Sequence, residues 1–406
     1  MAFLEKWSFS KTPFLRHTLA FFASAAGFLF GLDYLYGCRM KSRILLTVTN
    51  DLTYDRRMQR ICTTLAAAGY AVTLVGRRLP DSLPLRELAF RQKRLTCHFR
   101  KGKFFYLEYN LRLFFFLLFA RADCFSAVDL DTLLPCYLAG RLRRKAVVYD
   151  AHEYFTEVPE VVRRPLVRKI WAAVGRLVVP RLQHCYTVGP QLARVLTARY
   201  GPDFRVVRNV PFRSSAAQSP RQLSERPILL YQGALNEGRG LETLIDALGH
   251  FPQAELWLVG EGDLSPALRD RAAGKTWQDR IRFWGYRRPE ELPAITTQAS
   301  LGFNLLEDQG LSYYYSLANK TFDYIQEGLP GVHMAFPEYR ALDERYDCCY
   351  LLDELSVDRL VNLLQDIFDD PATYAHKSAN GLRAAGELCW EKEQDALLQL
   401  YHRALP

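Results

Sequence analysis

Short, β-branched apolar runs recur along the chain, each followed by a polar turn and then by a stretch whose apolar residues return every three or four positions. Ile44–Thr49 (ILLTVT) is the first run, and it reads as a strand buried on both faces. In Arg56–Ala68, residues Met58, Ile61, Leu65 and Ala68 share one helical face. Gly69 stops that helix, and Ala71–Val75 is the next strand, which completes one βαβ unit. The same alternation predicts strands at Cys124–Val128, Ala146–Tyr149, Cys185–Val188 and Phe204–Val207, with helices over Thr132–Arg141, Arg163–Arg176 and Gln191–Arg199.

After the polar stretch Arg213–Arg226 a second series begins. Strands are predicted at Ile228–Gln232, Glu255–Val259, Ile281–Phe283, Leu301–Leu305 and Gly331–Met334, with helices at Leu241–Leu248, Pro289–Thr296 and Lys320–Gln326. A chain of 406 residues exceeds what one core usually sustains. The expectation is an α/β protein of two doubly wound parallel sheets, residues 41–210 and 211–385, with ligands beyond the carboxyl ends of the strands. The final stretch, 386–406, is expected to cross back as a helix onto the first half.

Two apolar segments break the alternation. Phe14–Leu32 has the length of a bilayer span, with Lys6 and Lys11 before it and Arg16 and His17 at its start. It reads either as an uncleaved anchor or signal-like segment, or as non-native sequence ahead of a start at Met40. Lys101–Ala120 (KGKFFYLEYNLRLFFFLLFA) is a poor span because Lys, Glu, Asn and Arg lie within it. It reads as a core helix with partial surface exposure, or as a membrane-facing element.

Charge sharpens the second reading. The net charge is +9, and Lys41–Arg208 holds 30 Lys and Arg against 13 Asp and Glu, leaving the rest of the chain acidic. A basic half suggests an anionic partner, and no nucleic-acid-binding signature accompanies it. Its cations lie among Phe, Leu and Tyr, which fits an anionic lipid surface. The nine cysteines are odd in number, scattered and without CxxC spacing, so neither a disulfide framework nor structural zinc is expected, and a cytoplasmic compartment is.

Three stretches carry candidate chemistry. Val148–Glu160 (VYDAHEYFTEVPE) runs from a strand into a loop with Asp150, His152 and Glu153, where an imidazole can bond a sugar hydroxyl or a phosphate. Tyr231–Thr243 (YQGALNEGRGLET) has Gly233, Gly238 and Gly240, with Arg239 just before a helix. Helix amides plus a guanidinium suit a diphosphate, although a plain strand–turn–helix junction would look similar. In Ser312–Pro330 (SYYYSLANKTFDYIQEGLP), Ser316 is the expected N-cap. Lys320 adds charge there, and Asp323 stands one turn on, where a carboxylate can accept from both ribose hydroxyls.

Taken together these stretches resemble glycosyltransferase family 4, of the GT-B fold, in which two Rossmann-like domains face across a cleft. The resemblance covers about residues 42–400. It rests on Asp55-Arg56-Arg57, Gly69-Tyr70-Ala71-Val72, Asp129–Pro135, Tyr149-Asp150-Ala151-His152-Glu153, Glu237-Gly238-Arg239-Gly240, Val259-Gly260-Glu261-Gly262, Phe283-Trp284-Gly285 and Asn319–Pro330. It implies a nucleotide-diphosphate sugar as donor, no cofactor, no metal, and transfer with retention; the basic first half suits a glycan or lipid-linked acceptor, and the expected setting is cell-envelope polysaccharide synthesis.

By that resemblance Arg239 and Lys320 contact the diphosphate, beside Gly233, Gly240, Ser316 and Asn319. Asp323 takes the ribose, His152 meets the transferred sugar, and Gly285 and Tyr286 frame the base. One departure stands out: the family pairs acids eight positions apart, and here the first place is Tyr315. Asp129-x-Asp131 could imitate a metal motif of another fold, but it lies in the half that does not take the donor. The rival readings are a nucleotide-sugar epimerase of the same fold and an inactive membrane-associated scaffold. The expected location is the cytoplasm, peripheral to a membrane or anchored by the N-terminus.

Overall fold

The computed structural model describes residues 41–53, 55–214 and 219–405; the Phe14–Leu32 segment lies outside them. The first sheet has seven strands: β1 (Lys41–Thr47), β2 (Tyr70–Arg78), β3 (Arg91–Thr96), β4 (Cys124–Val128), β5 (Ala146–Ala151), β6 (His184–Thr187) and β7 (Phe204–Val206). The second has six: β8 (Ile228–Gln232), β9 (Glu255–Val259), β10 (Ile281–Gly285), β11 (Leu301–Asn304), β12 (Gly331–Met334) and β13 (Cys349–Leu352). Their orders are β3-β2-β1-β4-β5-β6-β7 and β10-β9-β8-β11-β12-β13, and every pairing is parallel. Both sheets are doubly wound, as the alternation predicts. In each, the chain reverses direction beside the central strand, β1 or β8, which opens a crevice at the carboxyl ends.

The apolar runs became strands because both faces of each sheet are covered. β4 is buried at all five positions, and β11 and β12 at all four. Two strands were not predicted. β3 (RQKRLT) is a mostly polar edge strand bonded to β2 alone, and an edge needs no apolar run. β13 has four residues, too few to show a period.

Gly102–Phe119 is one helix, with Phe105, Tyr109, Leu113 and Leu117 buried against the first sheet. Trp390–Ala404, the last helix, packs on the opposite face of that sheet. Its Trp390 Nε1 donates to Thr64 Oγ1 (2.8 Å) and its Tyr401 hydroxyl to Ser126 Oγ (2.8 Å).

Further contacts close the two domains on each other. Glu338, in the Pro337–Tyr346 helix of the second domain, accepts through Oε1 from the amides of Gln191 (2.7 Å) and Leu192 (3.1 Å), the first turn of the first domain's Pro190–Tyr200 helix. A Cβ on Gly189 would lie 2.3 Å from that oxygen, so only glycine admits the carboxylate. Arg163 pairs both nitrogens with Glu237 across the cleft (3.0 Å each). Arg221, after the inter-domain link, donates to the carbonyls of Glu327, Thr297 and Ala299.

Candidate active site

The carboxyl ends of the strands meet at a cavity of about 420 Å³ between the domains. His152, Gly233, Arg239, Ser316, Asn319, Lys320 and Asp323 line it together, although they come from three separate stretches of sequence. Gly240, Gly285 and Tyr286 do not. Gly240 caps the Leu241–Ala247 helix at φ +65°, where a Cβ would meet the Leu305 carbonyl at 2.6 Å; its part is to let the loop turn. Gly285 ends β10, and Tyr286 is exposed beyond it.

The Asn319–Gln326 helix is capped two positions later than the Ser316 expected. Its N-cap is Ala318, whereas the Ser316 hydroxyl donates back to the Tyr313 carbonyl (2.8 Å). The Ala318 amide is taken by the Tyr339 hydroxyl (3.0 Å). The amides of Asn319 and Lys320 open the helix and have no carbonyl within it.

Three cations line this space: Arg56, at its edge, and Lys320 and Arg239. Lys320 is buried with its Nζ 3.6 Å from the centre of the Tyr231 ring, and among the described residues it has no ion pair. Burial, and then the neighbouring Arg239, hold its pKa well below that of a free lysine, although Asp323 pulls the other way. The Arg239 guanidinium lies over the Tyr313 ring at 4.9 Å, and its buried Nε has no hydrogen-bond partner. Donor groups left unpaired in a dry pocket are costly unless a ligand satisfies them.

Asp323 stands one turn beyond Lys320. Its Oδ2 accepts from Gln232 Nε2 (3.2 Å), and the Gln232 Oε1 in turn accepts from Thr296 Oγ1 (3.0 Å). Burial pushes the Asp323 carboxyl up to about 6, against the opposing charges of Arg56 and Arg60.

From the first domain, His152 follows β5, with its amide bonded to Asp129 Oδ1 (3.0 Å). Burial and then Arg57 lower its pKa, so the imidazole is neutral at neutral pH. Glu153 opens onto the same cavity. Its carboxyl is pushed up to about 7, first by desolvation in the cleft and then by Glu160 and Asp131. Asp150 is no free carboxylate. It is fully buried in a pair with Arg57 (2.9 Å), which also donates to the Val207 carbonyl.

His152 also lines an adjoining 380 Å³ cavity with Thr49, Asn50, Asp55, Asp129 and Asp131. Asp131 Oδ2 accepts from Thr49 Oγ1 (2.7 Å), and burial raises its carboxyl to about 6. Asp129 holds φ 58°, ψ 176°, a region costly for any residue but glycine. On the far side, Arg56 and Asp323 are shared with a 730 Å³ groove lined by Arg60, Phe212, Pro289, Leu292 and Pro293. Arg56, Gln232, Tyr313 and Glu153 therefore belong to the site without having been predicted as site residues. Among the described residues no group of three or more His, Cys, Asp or Glu is arranged to hold a metal ion.

This geometry has counterparts. Among curated proteins none matches the sequence. Among solved structures, the chain is similar to HepE from Anabaena in complex with UDP (TM-score 0.67, 14% identity, 89% of this chain and 99% of that one). It is also similar to sucrose-phosphate synthase from Thermosynechococcus elongatus (TM-score 0.70, 18% identity, 89% and 99%). A third is WaaG, described as a glycosyltransferase involved in lipopolysaccharide biosynthesis (TM-score 0.68, 16% identity, 87% and 99%). At these identities the likeness shows the GT-B fold. Family models supply the rest: residues 55–210 match Glycosyltransferase Family 4, and residues 226–370 match Glycosyl transferases group 1. With both domains matched in order, the chain belongs to the family 4 glycosyltransferases of GT-B fold and is a glycosyltransferase enzyme.

Proposed function

We propose that this enzyme transfers a sugar from a nucleotide-diphosphate sugar to a glycan or lipid-linked acceptor, with retention, in the assembly of cell-envelope polysaccharide. One observation carries the reading: Lys320 and Arg239 converge on a single inter-domain cavity and, among the described residues, neither forms a salt bridge, while Asp323 stands one helical turn away. A diphosphate supplies the missing charge, and a ribose the hydroxyls for Asp323. The solved structures of HepE with UDP and with UDP-glucose support a uridine donor in a fold of this kind, and WaaG supports the envelope setting.

In this reading Arg239, Lys320 and the amides of Asn319 and Lys320 stabilise the charge that develops on the departing diphosphate. No metal or other cofactor is needed for that task. The nucleoside extends past Asp323 into the 730 Å³ groove, where Leu292 and Pro293 offer apolar surface to a base. The acceptor approaches from the His152 side. No side chain is poised as a covalent nucleophile, so the acceptor attacks the face that the diphosphate leaves. Tyr315, in the place of the family's first acid, packs on Tyr314 and the first domain's core and does not line the cavity; Glu153 is the carboxylate that faces the sugar instead. The enzyme works in the cytoplasm, where its donor is made, against an anionic membrane.

A thermal-shift screen of nucleotide-diphosphate sugars, followed by calorimetry, tests donor binding. Arg239→Ala is expected to cut turnover roughly a hundredfold. A near-normal rate, or no stabilisation by any nucleotide-diphosphate sugar, removes the proposal. Incubation with donor alone must leave the donor unchanged, since interconversion would mark an epimerase.

A further inference from the structure

The Gly102–Phe119 helix has two apolar stripes. Phe105, Tyr109, Leu113 and Leu117 fill the core, whereas Phe104, Leu107, Leu111, Phe115 and Phe119 point away from it, each at least half exposed and Phe119 84% exposed. A helix that is apolar all round belongs in an apolar surround on both sides, and the described residues cover only one side here.

The exposed stripe continues across its neighbours. The Leu130–Arg143 helix packs beside it, and the Pro165–Val178 helix beside that. Leu138 and Leu142 are exposed on the former, and Leu166, Ile170 and Leu177 on the latter. Arg143 fastens the first two helices by donating to the carbonyls of Leu117 and Ala120 (2.6 Å each). Tyr106 and Trp171 join the first to the third, with ring centres 5.4 Å apart. Three adjacent helices thus share one outward apolar face, far more than scattered surface leucines account for.

Charge identifies what covers it. The three helices carry seven Lys and Arg and two carboxylates. Of the two, Glu108 is held by the amides of His98 and Phe99 and by Arg112, and Asp131 is buried. Lys101, Arg121 and Arg144 add exposed cations at the helix ends. An apolar face whose own helices expose cations and hold both their carboxylates paired or buried complements a bilayer of anionic lipid.

We infer that this three-helix face is the seat on which the enzyme rests on an anionic membrane. It deepens, and rests on, the membrane setting proposed above, while being independent of the donor chemistry. The face also runs to the cleft. The Leu130–Arg143 helix begins at the acceptor-side cavity, and Leu166 follows the Arg163 that bridges to Glu237. A lipid-linked acceptor could keep its chain in the bilayer while its head group reaches His152.

Co-sedimentation of the full chain with vesicles tests this, using phosphatidylcholine with phosphatidylglycerol against phosphatidylcholine alone. Binding is expected to require the anionic lipid and to weaken with salt. The exposed-site triple variant Leu111→Glu, Phe115→Glu, Phe119→Glu should weaken it at least about tenfold, with nucleotide binding unchanged as the check on folding. Binding of the variant within about twofold of the parent overturns the inference. So does failure of the parent to bind anionic vesicles, including the case in which light scattering shows the face closed in a dimer. Donor binding is measured separately, so loss of the donor reading would leave this result standing, and the reverse.

Discussion

At Lys320 the chain keeps a lysine buried beside an arginine, an arrangement that costs stability in the empty enzyme. The cost is the reverse side of binding, because a diphosphate placed between the two turns repulsion into attraction in a site where water screens little. Asp323 makes the same point with opposite sign. Its carboxyl ionises only above about 6, so between the ordinary aspartate value and that point folding opposes its ionisation, and its contribution to stability falls as pH rises. Donor binding runs the other way, since only the ionised carboxylate accepts from both ribose hydroxyls. Donor affinity is therefore expected to rise with pH through about 6 and to level off above it. Asp323→Asn should bind more weakly and flatten the profile, and calorimetric titrations across that range decide it; an unchanged profile would detach Asp323 from the donor. Lys320, Arg239 and Asp323 were legible in the sequence because a capped helix and a glycine-rich turn advertise them. Gln232 was not, because nothing local distinguishes it until two domains are folded against each other; Arg56 and Glu153 stood within the motifs, but nothing local says that their side chains reach the donor cavity. The Ser316 cap was misplaced for a local reason: a serine hydroxyl serves a carbonyl behind it as readily as an amide ahead.

Among the elements, the β11 strand and the Asn319–Gln326 helix meet at one close contact. Gly302 of β11 lies under the ring of Tyr324, where a Cβ would approach the ring carbons at 2.5 Å. The Tyr324 hydroxyl reaches the carbonyls of Leu230 and Phe303 at long range. Gly302→Ala must therefore lift the helix that carries Lys320 and Asp323. The expected result is a loss of about 1–3 kcal/mol in urea unfolding, together with weaker nucleotide binding, although residue 302 touches no ligand. Full stability with full binding would show that the helix can shift without consequence. Elements of this kind were readable in sequence wherever burial was two-sided, as at β4, β8 and β12. They were unreadable where the structure asks little of the residue type, as in β3, whose outer edge has no strand partner among the described residues, or where four residues such as Cys349–Leu352 are too few for a period to show.

On the scale of the molecule, the Trp390–Ala404 helix follows the second domain in the chain but completes the first. Trp390, Leu397, Leu400 and Tyr401 are buried in the core shared with the first sheet. Arg208, near the end of the first domain, gives its amide to Glu393 (2.8 Å). A helix crossing back was expected from the sequence, but its partners were not legible there: the hydroxyls of Thr64 and Ser126 are each bonded to a residue more than 270 positions later. The chain therefore passes between the domains twice, after β7 and again between Ala385 and Trp390. Trp390→Ala removes the largest fully buried side chain and orphans Thr64. It is expected to cost about 3–5 kcal/mol and to lower the unfolding transition of the first domain more than that of the second. Amide exchange resolved by segment can read the difference: protection should fall in β4 and β5 and persist in β8 and β12. Equal loss in both sheets would mean that the domains unfold as one unit.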